Sequence, residues 1–186
     1  MPASFKSMRI VIACLIVFMM ADTIPAQDRG FSNEYSYRHY TRNRTYDVKH
    51  LKLNISIDYE SASISGTAAT VFSPINDGLE QLVLDAVEME IAGVTLLTQL
   101  EAEARPKQAT RDLAFTVEND KLIIDLDHPY NRDDQVIVEV AYQTQPKMGL
   151  YFVKPDEGYP DKPLQVWSQG EQEESRYWFP CYDFPN

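Results

Sequence analysis

Apolar and polar residues alternate along most of the chain after residue 45, and this period of two predicts short β-strands. The clearest run covers residues 51–58, where Leu or Ile occupies every odd position and a polar residue every even position. Because successive side chains of a strand point to opposite faces, such a run is typical of a half-buried strand. Residues 136–142 repeat the pattern, with Val or Tyr at every even position.

Weaker versions of the pattern extend the prediction to most of the remaining chain. Residues 113–117 and 122–126 flank Asn119-Asp120 and predict a hairpin with a short turn. Gly66 lies inside a strand predicted at residues 64–72, which indicates a bulge or a close approach of another backbone. Further strands are predicted at residues 79–86, 87–96, 148–153 and 164–167.

The segments between these strands are predicted to be turns and loops. Proline, glycine and asparagine mark turns at residues 74–78, 129–134 and 155–163, whereas residues 97–112 lose the alternation and predict a surface loop. Strands spaced by about ten residues, with no convincing helix, predict an all-β sandwich or barrel.

Residues 1–26 are predicted to be a secretory signal peptide rather than part of the fold. Lys6 and Arg9 make a positive start, residues 10–20 form an apolar run too short to span a bilayer comfortably, and Ala26 offers a cleavage site. We therefore expect an exported protein, periplasmic or extracellular. The alternatives are an uncleaved membrane anchor and a lipoprotein acceptor at Cys14.

The rest of the chain divides into two predicted parts. Residues 27–44 are polar, rich in tyrosine and without a clear period, so we interpret them as a lead-in arm. Residues 45–186 form the predicted β-domain. With the signal peptide removed, this part keeps a single cysteine, Cys181, which excludes an internal disulfide and requires stability to come from a core.

Charge narrows the classes of partner. The formal net charge is −11 at pH 7. Such acidity argues against nucleic acid and against an anionic membrane surface as partners. It says little else, because acidic surfaces are common on soluble exported proteins.

No complete catalytic apparatus can be assembled from these residues. The three histidines lack metal-ligand spacing, and no His-Glu-x-x-His motif is present, so neither a metal site nor a catalytic residue is predicted in this chain. Ser168 has no Gly-x-Ser-x-Gly context. For Cys181, a buried structural thiol is favoured over a nucleophile.

The final stretch, WSQGEQEESRYWFPCYDFPN, combines aromatic residues, acids and Arg176 in the least regular part of the chain. Pro180 and Pro185 keep it from forming a long helix or a central strand. It is therefore predicted to be an ordered, largely buried loop whose charges are paired or face a site. A globular protein rarely ends on such a segment, so we expect the chain to be the front part of a longer protein.

Gln169 and Glu171 form the candidate recognition element of this stretch. Residues two apart share a face at the end of a strand, and an amide oxygen beside a carboxylate makes a cradle for an ammonium group. At ~4 Å and an effective dielectric of ~20, such a charge pair is worth about 4 kcal/mol before desolvation. Arg176 is expected to pair with Asp183 or another acid. A buried ion-pair network that joins this domain to the next explains the same residue types equally well.

The same residues resemble the segment that closes the N-terminal domain of the zinc aminopeptidases of the aminopeptidase N family. The pattern there is Thr/Ser-Gln-x-Glu/Gln, then Ala-Arg, then Phe-Pro-Cys-Phe-Asp-Glu-Pro. Earlier stretches also resemble the family in the right order: residues 46–50, 64–67, 82–86 and 149–151. The resemblance covers residues 45–186.

The resemblance implies a fold and a role. The fold would be a saddle-like antiparallel β-sandwich ahead of a thermolysin-like catalytic domain, which carries the zinc and which this chain lacks. Gln169 and Glu171 would bind the α-amino group of a peptide substrate. The residues expected at the domain junction are Arg176, Phe179, Pro180, Cys181, Asp183 and Pro185. The parent enzyme would be a secreted zinc aminopeptidase, and this chain alone is expected to bind no zinc and to hydrolyse nothing.

Three positions depart from the family pattern. Phe184 replaces a usual Glu, Ser175 replaces a usual Ala, and Gly170 stands where a larger residue is common and bears on the first side-chain pocket. One alternative function is a free-standing, non-catalytic β-sandwich module that binds or scaffolds a partner. Another is a carbohydrate-acting β-domain that uses its clustered acids.

Overall fold

The computed structural model describes residues 43–98 and 109–184, which form ten β-strands and one short 3₁₀ helix. The strands are β1 (Tyr46–Asp58), β2 (Ser63–Pro74), β3 (Leu79–Asp85), β4 (Glu90–Leu97), β5 (Ala109–Asp112), β6 (Phe115–Glu118), β7 (Lys121–Tyr130), β8 (Val136–Thr144), β9 (Leu150–Val153) and β10 (Gln165–Ser168). The 3₁₀ helix covers Ser175–Tyr177. The predicted all-β class is confirmed. The predicted signal peptide and residues 27–42 of the predicted arm lie outside the described residues.

The strands form three antiparallel sheets. The largest has the order β1-β2-β8-β4-β5, the second has the order β3-β7-β6, and β9 and β10 form a two-stranded sheet of their own. Chain neighbours pair directly in four places, β1 with β2, β4 with β5, β6 with β7, and β9 with β10. The pair of β6 with β7 is the hairpin predicted around Asn119-Asp120.

One core cluster joins the two larger sheets. Phe72 and Val138 contribute from β2 and β8 of the five-stranded sheet, whereas Leu84 and Ile124 contribute from β3 and β7 of the three-stranded sheet, and all four are fully buried. Burial of each such side chain stabilises the fold by about 1.5–3 kcal/mol. The two sheets therefore pack face to face as a sandwich, as predicted.

Gly66 shows why the second strand needs a glycine. It pairs with Ile55 of β1, and a Cβ atom built on it would lie 2.1 Å from the backbone oxygen of Asn54. No side chain fits at that distance. The predicted close approach of two backbones is therefore present.

The predicted loop at residues 97–112 is wrong in its last part, which contains strand β5. This strand has four residues and, among the described strands, pairs only with β4. Its sequence, Ala-Thr-Arg-Asp, has no alternation of apolar and polar residues that would reveal it. Residues 99–108 lie outside the described residues.

The strand predicted to begin at residue 87 begins instead at Glu90. Glu88 has a positive φ of 52°, which interrupts the extended backbone, and the Val87 N–H donates to the backbone oxygen of Arg176 rather than to a strand. The turn predicted at residues 129–134 begins two residues later than predicted, because β7 continues to Tyr130. Within the described residues, no helix is long and apolar enough to cross a membrane.

Candidate functional site

Gln169 and Glu171 lie on an exposed turn that follows β10. The strand ends at Ser168, and the Gln169 backbone N–H donates to the Gly149 oxygen at 2.9 Å. The Gln169 side-chain oxygen accepts the Glu171 backbone N–H at 3.1 Å, and both side chains are exposed. Strand alternation therefore does not bring the two residues together, since the strand has already ended. A local side-chain-to-backbone hydrogen bond does so instead.

The turn that carries Glu171 is fastened to β9. The Glu174 backbone N–H donates to the Gly170 oxygen at 3.2 Å, which closes the turn. The Tyr151 hydroxyl on β9 donates to the Glu174 carboxylate at 3.0 Å. This hydrogen bond raises the pKa of Tyr151, because loss of the proton would place two negative charges side by side. The exposed Gln169 and Glu171 therefore lie on a turn that a hydrogen bond from β9 holds in place.

Gly149 allows the turn to come this close. Its φ is +78°, and a Cβ atom built on it would lie 2.0 Å from the backbone oxygen of Glu174 and 2.9 Å from the Trp178 ring. Positive φ is the left-handed region that favours glycine. Position 149 therefore needs glycine for its conformation and also for its lack of a side chain.

Behind the turn lies a buried carboxylate, Asp85, at the end of β3. Its side chain is 2% exposed. One carboxylate oxygen accepts the backbone N–H of Asp183 at 3.0 Å. The other accepts a hydrogen bond from Lys121 and lies 3.7 Å from the Arg176 guanidinium. A buried charge requires such partners, because desolvation would otherwise cost several kcal/mol.

Arg176 links this carboxylate to the rest of the terminal segment. Its backbone N–H and its Nε both donate to the Asp183 carboxylate, at 2.9 and 3.3 Å, and its guanidinium also pairs with Glu173. Burial disfavours the charged guanidinium, but Asp85, Glu173 and Asp183 outweigh it and raise the pKa of Arg176. The predicted pair of Arg176 with Asp183 is present. The described members of this buried network all belong to the same domain.

The segment after Arg176 packs into the sandwich. Phe179 and Cys181 are each 8% exposed, and Pro180 is fully buried. Asp85 and Cys181 exchange two backbone hydrogen bonds, of 2.7 and 3.1 Å, as an isolated antiparallel bridge. These residues therefore anchor the terminal segment to β3, which fits a structural role for the Cys181 thiol. Pro185 lies outside the described residues.

The described residues provide no metal site. Among them, no group of three or more His, Cys, Asp or Glu side chains could hold a metal ion. The site instead presents an exposed carboxylate and an exposed amide on a turn supported by a buried ion-pair network. Such an arrangement can bind a cation.

Four residues that support the turn were missed by the sequence reasoning: Gly149, Tyr151, Lys121 and Asp85. A signal did exist for Asp85, because it is a charged residue at the end of the apolar run Leu82-Val83-Leu84. Such a residue predicts a buried carboxylate with partners. Its partners could not be named in advance, since Asp183 is 98 positions away in the sequence.

Two departures from the family pattern meet in the structure. A Cβ atom built on Gly170 would lie 2.8 Å from the Ser175 hydroxyl oxygen. A larger residue at position 170 therefore requires the Ser175 hydroxyl to move. The absent side chain at Gly170 makes room for the extra hydroxyl of Ser175.

This contact gives a double-mutant prediction. Gly170→Ala should destabilise the chain by about 1 kcal/mol, because the new methyl group forces the Ser175 hydroxyl to move. In Gly170→Ala/Ser175→Ala the hydroxyl is gone, so most of that cost should disappear. Urea denaturation of the two single variants and the double variant measures the coupling. Additive effects of the two substitutions would show that the contact is unimportant.

Comparison with known proteins gives a consistent result. The family model described as the Peptidase M1 N-terminal domain matches residues 38–186. Leucine aminopeptidase 2 of Candida glabrata is 24% identical over 155 residues, a match that covers 83% of this chain and 22% of that protein. The chain thus spans about a fifth of the length of this relative.

Solved structures share the fold. Native leukotriene A4 hydrolase from Saccharomyces cerevisiae superimposes with a TM-score of 0.57 and 21% identity, over 75% of this chain and 21% of that one. A mutant M1 zinc metallopeptidase from Deinococcus radiodurans, bound to a Tyr-Ser-Ala substrate, gives a TM-score of 0.56 and 19% identity. That match covers 76% of this chain and 30% of the other.

Proposed function

The chain belongs to the peptidase M1 N-terminal domain family, and on that premise we propose that it is the domain that recognises the substrate's amino group in an exported zinc aminopeptidase. The whole enzyme would release N-terminal amino acids from peptides. Residues 1–26 would direct it to the periplasm or the extracellular space, or would remain as a membrane anchor. The zinc domain would be the principal partner of this chain.

The observation that carries the proposal is the anchored turn with Gln169 and Glu171 at its surface. Glu171 supplies a carboxylate for the ammonium group. The Gln169 side-chain oxygen already accepts one hydrogen bond, from Glu171, and an amide oxygen has a second lone pair. That lone pair can accept a hydrogen bond from the ammonium, so the two residues bind one group from two directions.

The side chains of Gln169 and Glu171 are both exposed, and this limits how strongly the chain alone can bind an amino group. An exposed ion pair is worth about 0–1 kcal/mol, because water screens it. The same pair gains strength when a second surface covers it and lowers the local dielectric. We therefore infer that strong binding of the amino group requires a neighbouring domain over the turn. The support from Tyr151 and Arg176 would hold the turn ready for that contact.

The role proposed for this chain does not require it to bind zinc. The described residues do not fit a zinc ion, since they offer no set of ligands. A zinc ion held by a neighbouring domain would supply the activated water. The part of Gln169 and Glu171 is to bind the ammonium and so to fix the distance from the peptide's end to the bond that is cut.

The test begins with the coding sequence that follows codon 186. A continuing frame that encodes His-Glu-x-x-His supports the proposal, and the complete product can then be assayed. A stop codon there would instead favour the free-standing binding module. The purified 186-residue chain, with zinc added, should show no turnover of aminoacyl fluorogenic substrates.

In the complete product, Glu171→Ala should lower kcat/KM for aminoacyl substrates about 10- to 100-fold. This is the value of a hydrogen bond to a charged group in a covered site. Glu118→Ala, which removes an exposed acid on β6, is the matched control and should leave kcat/KM unchanged. Equal effects of the two substitutions would exclude a role for Glu171 in binding the amino group.

A further inference from the structure

The hairpin of β9 and β10 carries an aromatic surface that the recognition of an amino group does not use. Tyr151 and Trp167 lie directly opposite each other in the register of the two strands. Their ring centroids are 4.5 Å apart and the rings are inclined by 21°, so they are stacked. Trp167 is nevertheless 50% exposed. An indole that is rigidly stacked and still open to solvent offers an apolar surface to a ligand.

This aromatic pair is physically joined to the turn of Gln169 and Glu171. The Tyr151 hydroxyl donates to Glu174 in the same turn, and the backbone N–H of Gln169 donates to the residue that precedes β9. Trp167 lies two positions before Gln169, so their Cα atoms are at most about 7 Å apart. A ligand whose ammonium is held by the turn therefore lies within reach of the stacked rings.

The surroundings of the rings indicate the chemistry of that ligand. Glu171 is exposed on the adjoining turn, whereas Glu173 is already paired with Arg176 and Glu174 accepts a hydrogen bond from Tyr151. The chain as a whole carries a net charge of −11. A ligand for this surface should combine a positive charge with an apolar group a few ångströms away. An amino-terminal residue with a large apolar side chain has both features, since its Cα joins the ammonium to the side chain.

We propose that the stacked Tyr151 and Trp167 rings contact the side chain of the substrate's amino-terminal residue and favour aromatic and long aliphatic side chains. The inference rests on the proposed function, because it requires the ammonium to be bound at Gln169 and Glu171. Trp167 is then a specificity-determining residue. It adds affinity for large apolar side chains and contributes nothing to the affinity for alanine.

The test is a titration of the 186-residue chain, labelled with nitrogen-15, with three small probes. The probes are L-phenylalaninamide, L-alaninamide and N-acetyl-L-phenylalaninamide, which lacks the ammonium. Two indole signals are expected, from Trp167 and Trp178, and Trp167→Phe assigns them. We expect L-phenylalaninamide to shift the Trp167 indole signal and to bind about 3- to 10-fold more tightly than L-alaninamide. Acetylation should abolish the shift.

Two variants separate this inference from the function on which it rests. Trp167→Ala should remove the preference for L-phenylalaninamide over L-alaninamide, whereas Trp167→Phe should keep most of the preference. Glu171→Gln should weaken both amine probes equally and keep the preference. If Trp167→Ala keeps the preference, the inference is wrong while the role of Glu171 still stands.

The remaining outcomes are equally decisive. If Glu171→Gln changes nothing and the acetylated probe binds as well as the amine, the proposed function fails, and with it the inference. Because the exposed turn alone binds the amine only weakly, the titration extends to several hundred millimolar. If L-phenylalaninamide at that concentration leaves the Trp167 indole signal in place, the rings do not contact this class of ligand, and the inference is overturned. Circular dichroism of each variant checks that the sandwich is retained.

Discussion

Arg176→Ala should lower the free energy of unfolding by about 3–5 kcal/mol, which is the usual cost of removing one partner from a buried ion pair. The substitution leaves the carboxylate of Asp85, which is 2% exposed, with Lys121 as its remaining charged partner. It also removes the side-chain hydrogen bonds from Arg176 to the Asp183 carboxylate and to the Asp183 backbone oxygen. Because domains of this size are stable by only about 5–15 kcal/mol, the variant should be close to unfolding. Urea denaturation followed by circular dichroism measures the change.

The chain offers a matched control in Arg132. This arginine also pairs with an aspartate, Asp77, but the two side chains are 61% and 58% exposed. Arg132→Ala should therefore leave the stability nearly unchanged, because water screens an exposed ion pair. Arg176→Lys should fall between the two, because lysine keeps the charge and loses the planar geometry. Equal losses for Arg176→Ala and Arg132→Ala would show that the buried network does not stabilise the terminal segment.

The network also holds the turn that carries Gln169 and Glu171, and this bears on the proposed binding of an amino group. Arg176 is held by Asp85 from the core and by Glu173 from the turn itself. A weakened network frees Glu173 and the neighbouring turn residues to move. Preorganisation of a site reduces the ordering cost of binding. If Arg176→Ala still folds, it should therefore bind amine probes more weakly than the unchanged chain does.

The strands could be predicted from sequence because alternation reports burial directly. The predicted start of the first strand at Tyr46 and its end at Asp58 agree with β1, and the Asn119-Asp120 turn joins β6 to β7. Both turn residues have positive φ, the conformation that Asn and Asp adopt more readily than most residues. Strand β5 escaped prediction because its four residues have no alternation of apolar and polar residues.

The family was also predictable, because the closing motif combines many specific residues in a fixed order. The geometry of that motif was not. Residues 169–184 have no regular period, so their path is decided by partners far away in the chain, such as Asp85 and Gly149. Alternation wrongly suggested that a strand face unites Gln169 with Glu171, whereas a local hydrogen bond does so beyond the end of β10. The role of these two residues in substrate binding stays a prediction.

Gly149→Ala should be the second severely destabilising change, with a loss of about 3 kcal/mol or more. Two costs combine at this position. A residue other than glycine at a φ of +78° costs about 1–3 kcal/mol, and the new methyl group would lie 2.0 Å from the Glu174 backbone oxygen, which cannot rotate away. The turn must therefore lift from β9. Urea denaturation measures the stability, and hydrogen exchange at the Glu174 amide detects the local opening.

Two other glycines separate these costs. Gly78 has a φ of +85° with open space around it, so Gly78→Ala reports the conformational cost alone, about 1–2 kcal/mol. Gly93 has no positive φ and nothing near its missing side chain, so Gly93→Ala should be close to neutral. If Gly149→Ala costs no more than Gly78→Ala, the close approach of Glu174 is not what requires glycine. If Gly149→Ala lowers the free energy of unfolding more than Gly78→Ala does, and the Glu174 amide exchanges rapidly, then the absence of a side chain at position 149 is what allows the turn of Glu171 to pack against β9.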